Sequence, residues 1–205
     1  MRKLLVATHN AGKVREYRQL LADLPLDVTY LDEEGVDFDV EETGKSFTEN
    51  AVQKATAYAE ATGLWTWADD SGLEVDALDG APGIRSSRYA GPGASDEDRY
   101  RKLLRELDGV PWGARTARFR CVVAITTPEG EVRNAPGRCE GIIGFEPRGS
   151  HGFGYDPVFF LPQFDRTMAE LSPEVKNRIS HRARAARAAK RLLWGMLQEV
   201  EKRNQ

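Results

Sequence analysis

Two periodicities of apolar positions alternate along the first half of this chain. Residues 3–7 form a short apolar run that reads as a buried strand. The polar stretch Thr8-His9-Asn10-Ala11-Gly12-Lys13 follows. Val14, Tyr17, Leu20, Leu21 and Leu24 then recur at helical spacing until Pro25, so the chain opens strand, polar loop, helix. Residues 28–31 predict a second strand, and residues 32–43 an acidic loop. Ser46-x-x-Glu49 is a capping box that introduces a helix ended by Gly63. Residues 65–68 read as a short strand leading into Asp69-Asp70-Ser71-Gly72. A further strand over residues 73–78 is broken by Gly80-Ala81-Pro82-Gly83.

The second half changes character. Residues 96–107 predict a helix capped near Ser95. Residues 117–127 predict a strand that returns through Pro128-Glu129-Gly130 to residues 131–135, a hairpin that residues 138–143 continue. Residues 149–157 form a glycine-rich loop before the apolar strand 158–161. Ser172-Pro173-Glu174 places proline at the first position of a helix, and a long helix follows over residues 181–201. Helices alternating with strands, then a hairpin, predict an α/β fold with a mixed sheet. No internal repeat, long linker or low-complexity stretch interrupts it.

Length and composition narrow the class. A chain of 205 residues is expected to be one domain, large enough to bury a core without staples. At 40% hydrophobic and 30% charged residues the composition is that of an ordinary soluble protein, and no apolar run approaches a membrane span. The short apolar run after Met1-Arg2-Lys3 lacks the length and cleavage site of a signal peptide, so a cytoplasmic location is expected. The net charge of −3 argues against a general nucleic-acid binder, although residues 176–191 are strongly basic. Cys121 and Cys139 show no metal-site spacing and read as buried free thiols.

Several segments carry candidate chemistry, each with a plainer reading beside it. A polar turn between a strand and a helix is a ready anion site, because free amides lie at the positive end of the helix dipole. Gly12, Lys13 and Asn10 suit that role, and an ordinary capped turn fits equally well. It is neither a Walker loop nor a dinucleotide loop. Asp69 and Asp70 repel one another, and a hard cation such as Mg²⁺ relieves that repulsion; one of them could also activate water. A solvated turn is the competing reading. Glu41-Glu42 could complete a metal site or be a solvated loop. Asn50 and Lys54 share a helix face, where a lysine is more often simply exposed. Phe153, bracketed by Gly152 and Gly154, could stack a base, with Asp156 accepting a hydrogen bond; a loop packed on the core competes. His181 and Arg182, with Lys176 just upstream, are donors that suit a ring bearing an oxygen acceptor, as hypoxanthine and xanthine do. Arg184, Arg187, Lys190 and Arg191 read as a solvated basic face.

Taken in order, these motifs resemble the inosine/xanthosine triphosphate pyrophosphatases, the bacterial non-canonical purine nucleoside triphosphate pyrophosphatases. The resemblance runs through Thr8 to Lys13, Glu42-Thr43-Gly44, Phe47-x-x-Asn50-Ala51-x-x-Lys54-Ala55 and Ala68-Asp69-Asp70-Ser71-Gly72-Leu73. It continues through Gly80-Ala81-Pro82-Gly83-Ile84, Ser87-Arg88-Tyr89, Gly152-Phe153-Gly154-Tyr155-Asp156-Pro157, and Lys176 with Ile179-Ser180-His181-Arg182. It implies one two-lobed domain over residues 1–205: an elongated mixed sheet flanked by helices, with the active site in the cleft between lobes. It implies hydrolysis of ITP, dITP and XTP to the monophosphate and pyrophosphate with Mg²⁺, by a cytoplasmic homodimer that needs no nucleic acid or membrane. Thr8, His9, Asn10, Ala11, Gly12 and Lys13 would hold the triphosphate with Lys54. Asp70 would be the general base and a metal ligand, with Glu42 and Asp69 completing the metal site. Ser71 would touch substrate. Phe153, Gly154, Tyr155 and Asp156 would form the base platform, and Lys176, His181 and Arg182 would read the base, with Arg88 nearby. His151 departs from the small residues and glycine that many members carry there. Two rivals compete with this reading: a pyrophosphatase for pyrimidine or modified nucleotides, and a non-catalytic binder using the basic final helix.

Overall fold

The alternation of buried and exposed positions resolves into a mixed sheet carrying helices, as described for residues 2–203 in a computed structural model. Among these residues the strands β1 (Lys3–Val6), β2 (Asp27–Tyr30), β3 (Trp65–Val75), β4 (Thr116–Thr126), β5 (Val132–Ile143), β6 (Phe159–Leu161) and β7 (Arg166–Thr167) form one sheet. Their order is β2-β1-β3-β4-β5-β6-β7. β1 pairs in parallel with β2 and β3, whereas β6 pairs antiparallel with β5 and β7, so the sheet is mixed as expected. The helices are α1 (Ala11–Leu20), α2 (Phe47–Thr62), α3 (Asp96–Glu106), α4 (Pro173–Ile179) and α5 (His181–Arg203).

One expectation is corrected. Residues 65–68 and 73–78 are not two strands flanking a turn: β3 runs unbroken from Trp65 to Val75 and carries Asp69-Asp70-Ser71-Gly72 within it. Turn-forming residue types yield here because neighbouring strands hold the backbone extended, and tertiary pairing outweighs local propensity. The strand then stops in a single 3₁₀ turn over Asp76–Leu78.

The chain divides into two compact units. The first comprises residues up to Asp70, Cys121–Gly137 and those from Arg182 onward; the second comprises Ser71–Arg120 and Arg138–His181. Each has its own core. In the first, Leu4, Val6, Tyr17, Trp67, Ile125 and Leu193 pack together, with Tyr17 edge-on to Trp67 at 5.8 Å between ring centroids. Ala185, Ala186, Ala189, Leu193 and Met196 of α5 recur at helical spacing and are buried, while Arg184, Arg187 and Arg191 are exposed, as the sequence predicts. Lys190 departs from that solvated face: it is half-buried, and its ammonium donates to the Leu20 carbonyl and to Asp23, because α5 packs beside the end of α1. In the second, Leu73, Val75, Leu103, Phe119, Ile143 and Phe159 form the core.

Arg115 in the second unit is a buried cation that no motif signals. Its guanidinium donates to the carbonyls of Ile143, Leu107 and Gly144, each at 2.8 Å, so backbone acceptors satisfy its fork. Burial pushes its pKa down. Lysine cannot reproduce that planar geometry. Arg115→Lys is expected to destabilise the protein by about 2 kcal/mol, read as a shift in the urea unfolding midpoint, because at least one buried carbonyl loses its donor.

Candidate active site

In the first unit β1 feeds α1 through the polar loop. Asn10 caps the helix: its Oδ1 accepts the Lys13 amide at 3.0 Å, and its own amide donates to Thr8 Oγ1 at 3.2 Å. Ala11 and Gly12 fall in the first turn, where amides have no partner inside the helix. The predicted anion loop therefore lies at a helix N-terminus, and Gly12 is buried there. His9 turns toward the acidic loop, with Nδ1 2.8 Å from Asp32 Oδ1. Burial lowers its pKa, and the bond to Asp32 with the neighbouring acids outweighs that, so the imidazole titrates above its usual value.

Lys13 reaches across to β3, where its Nζ lies 3.0 Å from Asp69 Oδ1. The other oxygen, Oδ2, lies 3.5 Å from Arg182 Nε and accepts from Cys121 Sγ at 3.6 Å. Arg182 Nη1 donates to Glu16 Oε2 at 2.6 Å. Asp69 is 3% exposed and Arg182 2%, so this is a buried chain of alternating charge, Lys13–Asp69–Arg182–Glu16. Burial pushes the Asp69 carboxyl up, but Lys13, Arg182 and Lys54 together hold it well below the usual carboxylate range.

Asp70 alternates to the opposite face of the strand from Asp69 and meets a different set. α2 supplies it. Ser46 caps that helix by accepting the Glu49 amide, while Glu49 reaches back to the amide of Lys45 rather than to that of the cap. Four residues apart on one face, Asn50 and Lys54 both point at Asp70: Asn50 Nδ2 donates to Asp70 Oδ2 at 3.0 Å, and Lys54 Nζ lies 3.7 Å from Oδ1. Lys54 Nζ also donates to Glu42 Oε1 at 2.5 Å. Asn50 Oδ1 accepts the Gly44 amide at 2.8 Å, drawing the acidic loop over the helix; a Cβ on Gly44 would meet that oxygen at 2.5 Å, so only glycine fits. Lys54 is thus not the exposed lysine that its helix position suggested. Burial lowers its pKa, but Asp70, Glu42 and Asp69 more than restore it. Asp70 is shifted the other way. Burial raises its carboxyl, Lys54 opposes, Glu42 adds to the rise, and the net direction is upward.

The predicted metal ligands therefore separate. Glu42 and Asp70 converge on one ammonium, while Asp69 faces Lys13 and Arg182. Among the described residues no three His, Cys, Asp or Glu side chains cluster as a ready metal cage.

The second unit carries the other candidates. Asp156 Oδ2 accepts the Phe153 amide at 3.0 Å and Lys176 Nζ at 2.5 Å, and the ammonium lies 5.0 Å from the Phe153 ring centroid. Asp156 and Lys176 are buried; Phe153 and Gly154 are half-buried. Tyr155 is buried and donates to the Ser86 carbonyl at 2.8 Å, so it is a strut of the loop. The loop turns at Gly152, at φ +83°, where an added Cβ would collide with Asp156 Oδ2 and lie 2.9 Å from Lys176 Nζ. Gly152→Ala is expected to destabilise the protein by about 1–2 kcal/mol, because it strains the left-handed turn and displaces that ion pair, read as a shift in the urea unfolding midpoint. His181, the first residue of α5, stacks on Phe119 with centroids 4.6 Å apart and planes 13° from parallel. Ser71 is half-exposed on β3, and Arg88 is exposed at the end of Gly83–Arg88. Arg182 follows His181 in sequence, yet it is grouped with Glu16 and Asp69 in the first unit.

Reasoning from sequence missed Glu16, Phe119 and the contact of Cys121 with Asp69; that Cys121 is a buried free thiol was read correctly. Glu16 lies three residues beyond Lys13 on α1, a spacing that places both on one side of the helix. Phe119 and Cys121 follow Ala117 at alternate positions of β4, which marks a buried face but not its partner.

Such a site, a polar turn at a helix N-terminus and a buried carboxylate held by lysine and asparagine, marks a class of α/β protein whose groups suit phosphate chemistry. The model of the Ham1 family matches residues 4–192, and the chain belongs to that family. It is 47% identical over 193 residues to the dITP/XTP pyrophosphatase of Bacillus subtilis (strain 168), covering 94% of this chain and 98% of that protein. With the dITP/XTP pyrophosphatase of Geobacter sulfurreducens it shares 52% over 186 residues, covering 90% and 93%. The solved structure of a HAM1 protein from Coxiella burnetii matches with a TM-score of 0.86 at 43% identity, over 95% of this chain and all of that one.

Proposed function

We propose that this protein hydrolyses non-canonical purine nucleoside triphosphates, ITP, dITP and XTP, to the monophosphate and pyrophosphate, removing them from the nucleotide pool. The observation that carries this reading is Asp70: a buried carboxylate whose pKa is pushed upward by burial, aimed by Asn50 and set beside Lys54. A carboxylate held in this way suits removal of a proton from attacking water. Thr8 to Lys13 receive the triphosphate on helix-terminal amides, and Lys13 and Lys54 add fixed positive charge where negative charge develops. Ser71 is assigned a substrate contact beside Asp70.

Glu42 and Asp70 would hold Mg²⁺. Their oxygens already face one cation, the Lys54 ammonium, and hard carboxylate oxygens suit this ion. The chemistry supplied by bound Mg²⁺ is neutralisation of phosphate charge. Asp69 is given a different part, holding Lys13 and Arg182 from the far face of β3.

Base recognition is assigned to the second unit. Phe153 stacks, Asp156 and Lys176 hold it, and His181 and Lys176 donate toward O6, where adenine carries an amino donor instead. A site built to donate to one substrate atom can reject an analogue lacking it by roughly 10⁴-fold. Arg88 is kept as a further contact, and Arg182, held by Glu16 and Asp69, is given a structural part instead. A cytoplasmic homodimer completes the proposal, tested by sedimentation. Among the described residues no helix is long and apolar enough to cross a membrane.

The test is pyrophosphate release from ITP, dITP, XTP, ATP, GTP and CTP, with Mg²⁺ and with EDTA. The expected result is release from the first three alone, abolished by EDTA and restored by added Mg²⁺. Equal release from all six removes the base-reading roles; release from none moves the protein to a nucleotide-binding module.

A further inference from the structure

The turn that carries Phe153 is tied to a helix that no motif singles out. Asp96 is the first residue of α3, after the cap Ser95, whose hydroxyl accepts the Asp98 amide at 3.1 Å. Asp96 Oδ1 accepts from Arg99 Nη1 at 2.5 Å, and its Oδ2 accepts the backbone N–H of Gly154 at 2.7 Å, 58 residues away in the chain. The preceding amide, that of Phe153, donates to Asp156 Oδ2 at 3.0 Å. The two peptide groups that flank the Phe153 Cα are thus each held by a carboxylate from a different position in the second unit. Peptide groups are planar, so pinning both sets the φ and ψ of Phe153 and the direction of its Cα–Cβ bond. Hydrogen bonds to ionised acceptors are the strong ones, which makes this a firm clamp.

We infer that Asp96 is a positioning residue for the base-stacking Phe153: it does not touch the nucleotide, and it fixes the plane on which the purine lies. The inference rests on the stacking role proposed for Phe153. A residue acting this way changes the binding of ground state and transition state alike, so its loss raises KM with little change in kcat.

The experiment compares Asp96→Ala, Asp96→Asn and Ser95→Ala in the full chain with the parent, by ITP kinetics and by amide hydrogen exchange at Gly154. Asp96→Ala is expected to raise KM for ITP by roughly tenfold with kcat within about twofold, and to speed Gly154 exchange by at least roughly tenfold. Asp96→Asn keeps an oxygen that accepts the same amide, so KM returns to within about threefold of the parent. Ser95→Ala removes the helix cap and lowers the melting temperature but leaves the clamp, so KM stays at the parent value. An unchanged KM and unchanged Gly154 exchange in Asp96→Ala overturn the inference, as does a Ser95→Ala variant whose KM rises equally. A parent that releases no pyrophosphate from ITP sinks the stacking reading, and this role of Asp96 with it. Unchanged Gly154 exchange in Asp96→Ala, with a parent active on ITP, sinks the positioning alone.

Discussion

Asp70→Asn is expected to lower kcat for pyrophosphate release from ITP by about 10³-fold, within the range that positioned general bases contribute. The substitution is isosteric. Its Oδ still accepts from Asn50 Nδ2, and Lys54 keeps its stronger partner Glu42 at 2.5 Å, so the surroundings persist. Stability is not expected to fall. Burial and Glu42 raise the Asp70 carboxyl in the folded state, so its ionised form opposes folding, and that opposition grows as pH rises through the folded-state pKa. A neutral amide removes that strain. The unfolding midpoint of Asp70→Asn at neutral pH should therefore equal or exceed that of the parent. A variant turning over at more than a third of the parental rate would show that Asp70 is not the base.

Arg182→Ala is expected to produce the largest loss of stability, about 3–5 kcal/mol, the range for breaking a buried ion pair by removing one partner. Arg182 is buried between Glu16, at 2.6 Å, and Asp69, at 3.5 Å. Burial alone would lower its pKa, but Glu16 and Asp69 drive it well above the ordinary arginine value, so the cation is firmly held. Its removal leaves Glu16 facing a cavity and Asp69 dependent on Lys13. For a chain of this size the melting temperature should drop by roughly 10 °C. The double variant Asp69→Asn/Arg182→Ala distinguishes charge from packing. If uncompensated charge is the cause, the double variant recovers at least about 1 kcal/mol relative to the sum of the single losses. Strict additivity would show that the guanidinium acts by filling space. A single-variant loss below about 1 kcal/mol would remove the chain from any account of the fold.

Much of the architecture was legible from local chemistry. β1, α1, α2 and α5 follow from apolar spacing with caps at Asn10, Ser46 and Gly63, because periodic burial and a satisfied helix end are properties of neighbouring residues. The capped turn proposed as an anion loop was legible for the same reason: strand, polar turn, capping Asn10 and helix lie in consecutive residues. The two-residue β7 went unread, since so short a strand exists only by pairing with β6. β3 was read as two pieces, because Asp, Ser and Gly in a row signal a turn until neighbouring strands bond their backbone.

Site chemistry divided in the same way. The sequence by itself determined which groups are available: two adjacent acids at the end of an apolar run, an asparagine and a lysine one helical turn apart, an aromatic between glycines, and a histidine at a helix start. Only once β3 is seen to run unbroken through them does alternation require Asp69 and Asp70 to face opposite ways. Only the tertiary structure decided their partners. It gave Asp70 to Asn50 and Lys54 and gave Asp69 to Lys13 and Arg182, so one carboxyl is raised and its neighbour lowered. It also set Arg182 between Glu16 and Asp69, and joined Asp96 to Gly154. The physical reason is that residue type and local spacing fix a side chain's chemistry and direction, whereas pKa, burial and hydrogen-bond partners depend on charges and dipoles brought near from distant points of the chain.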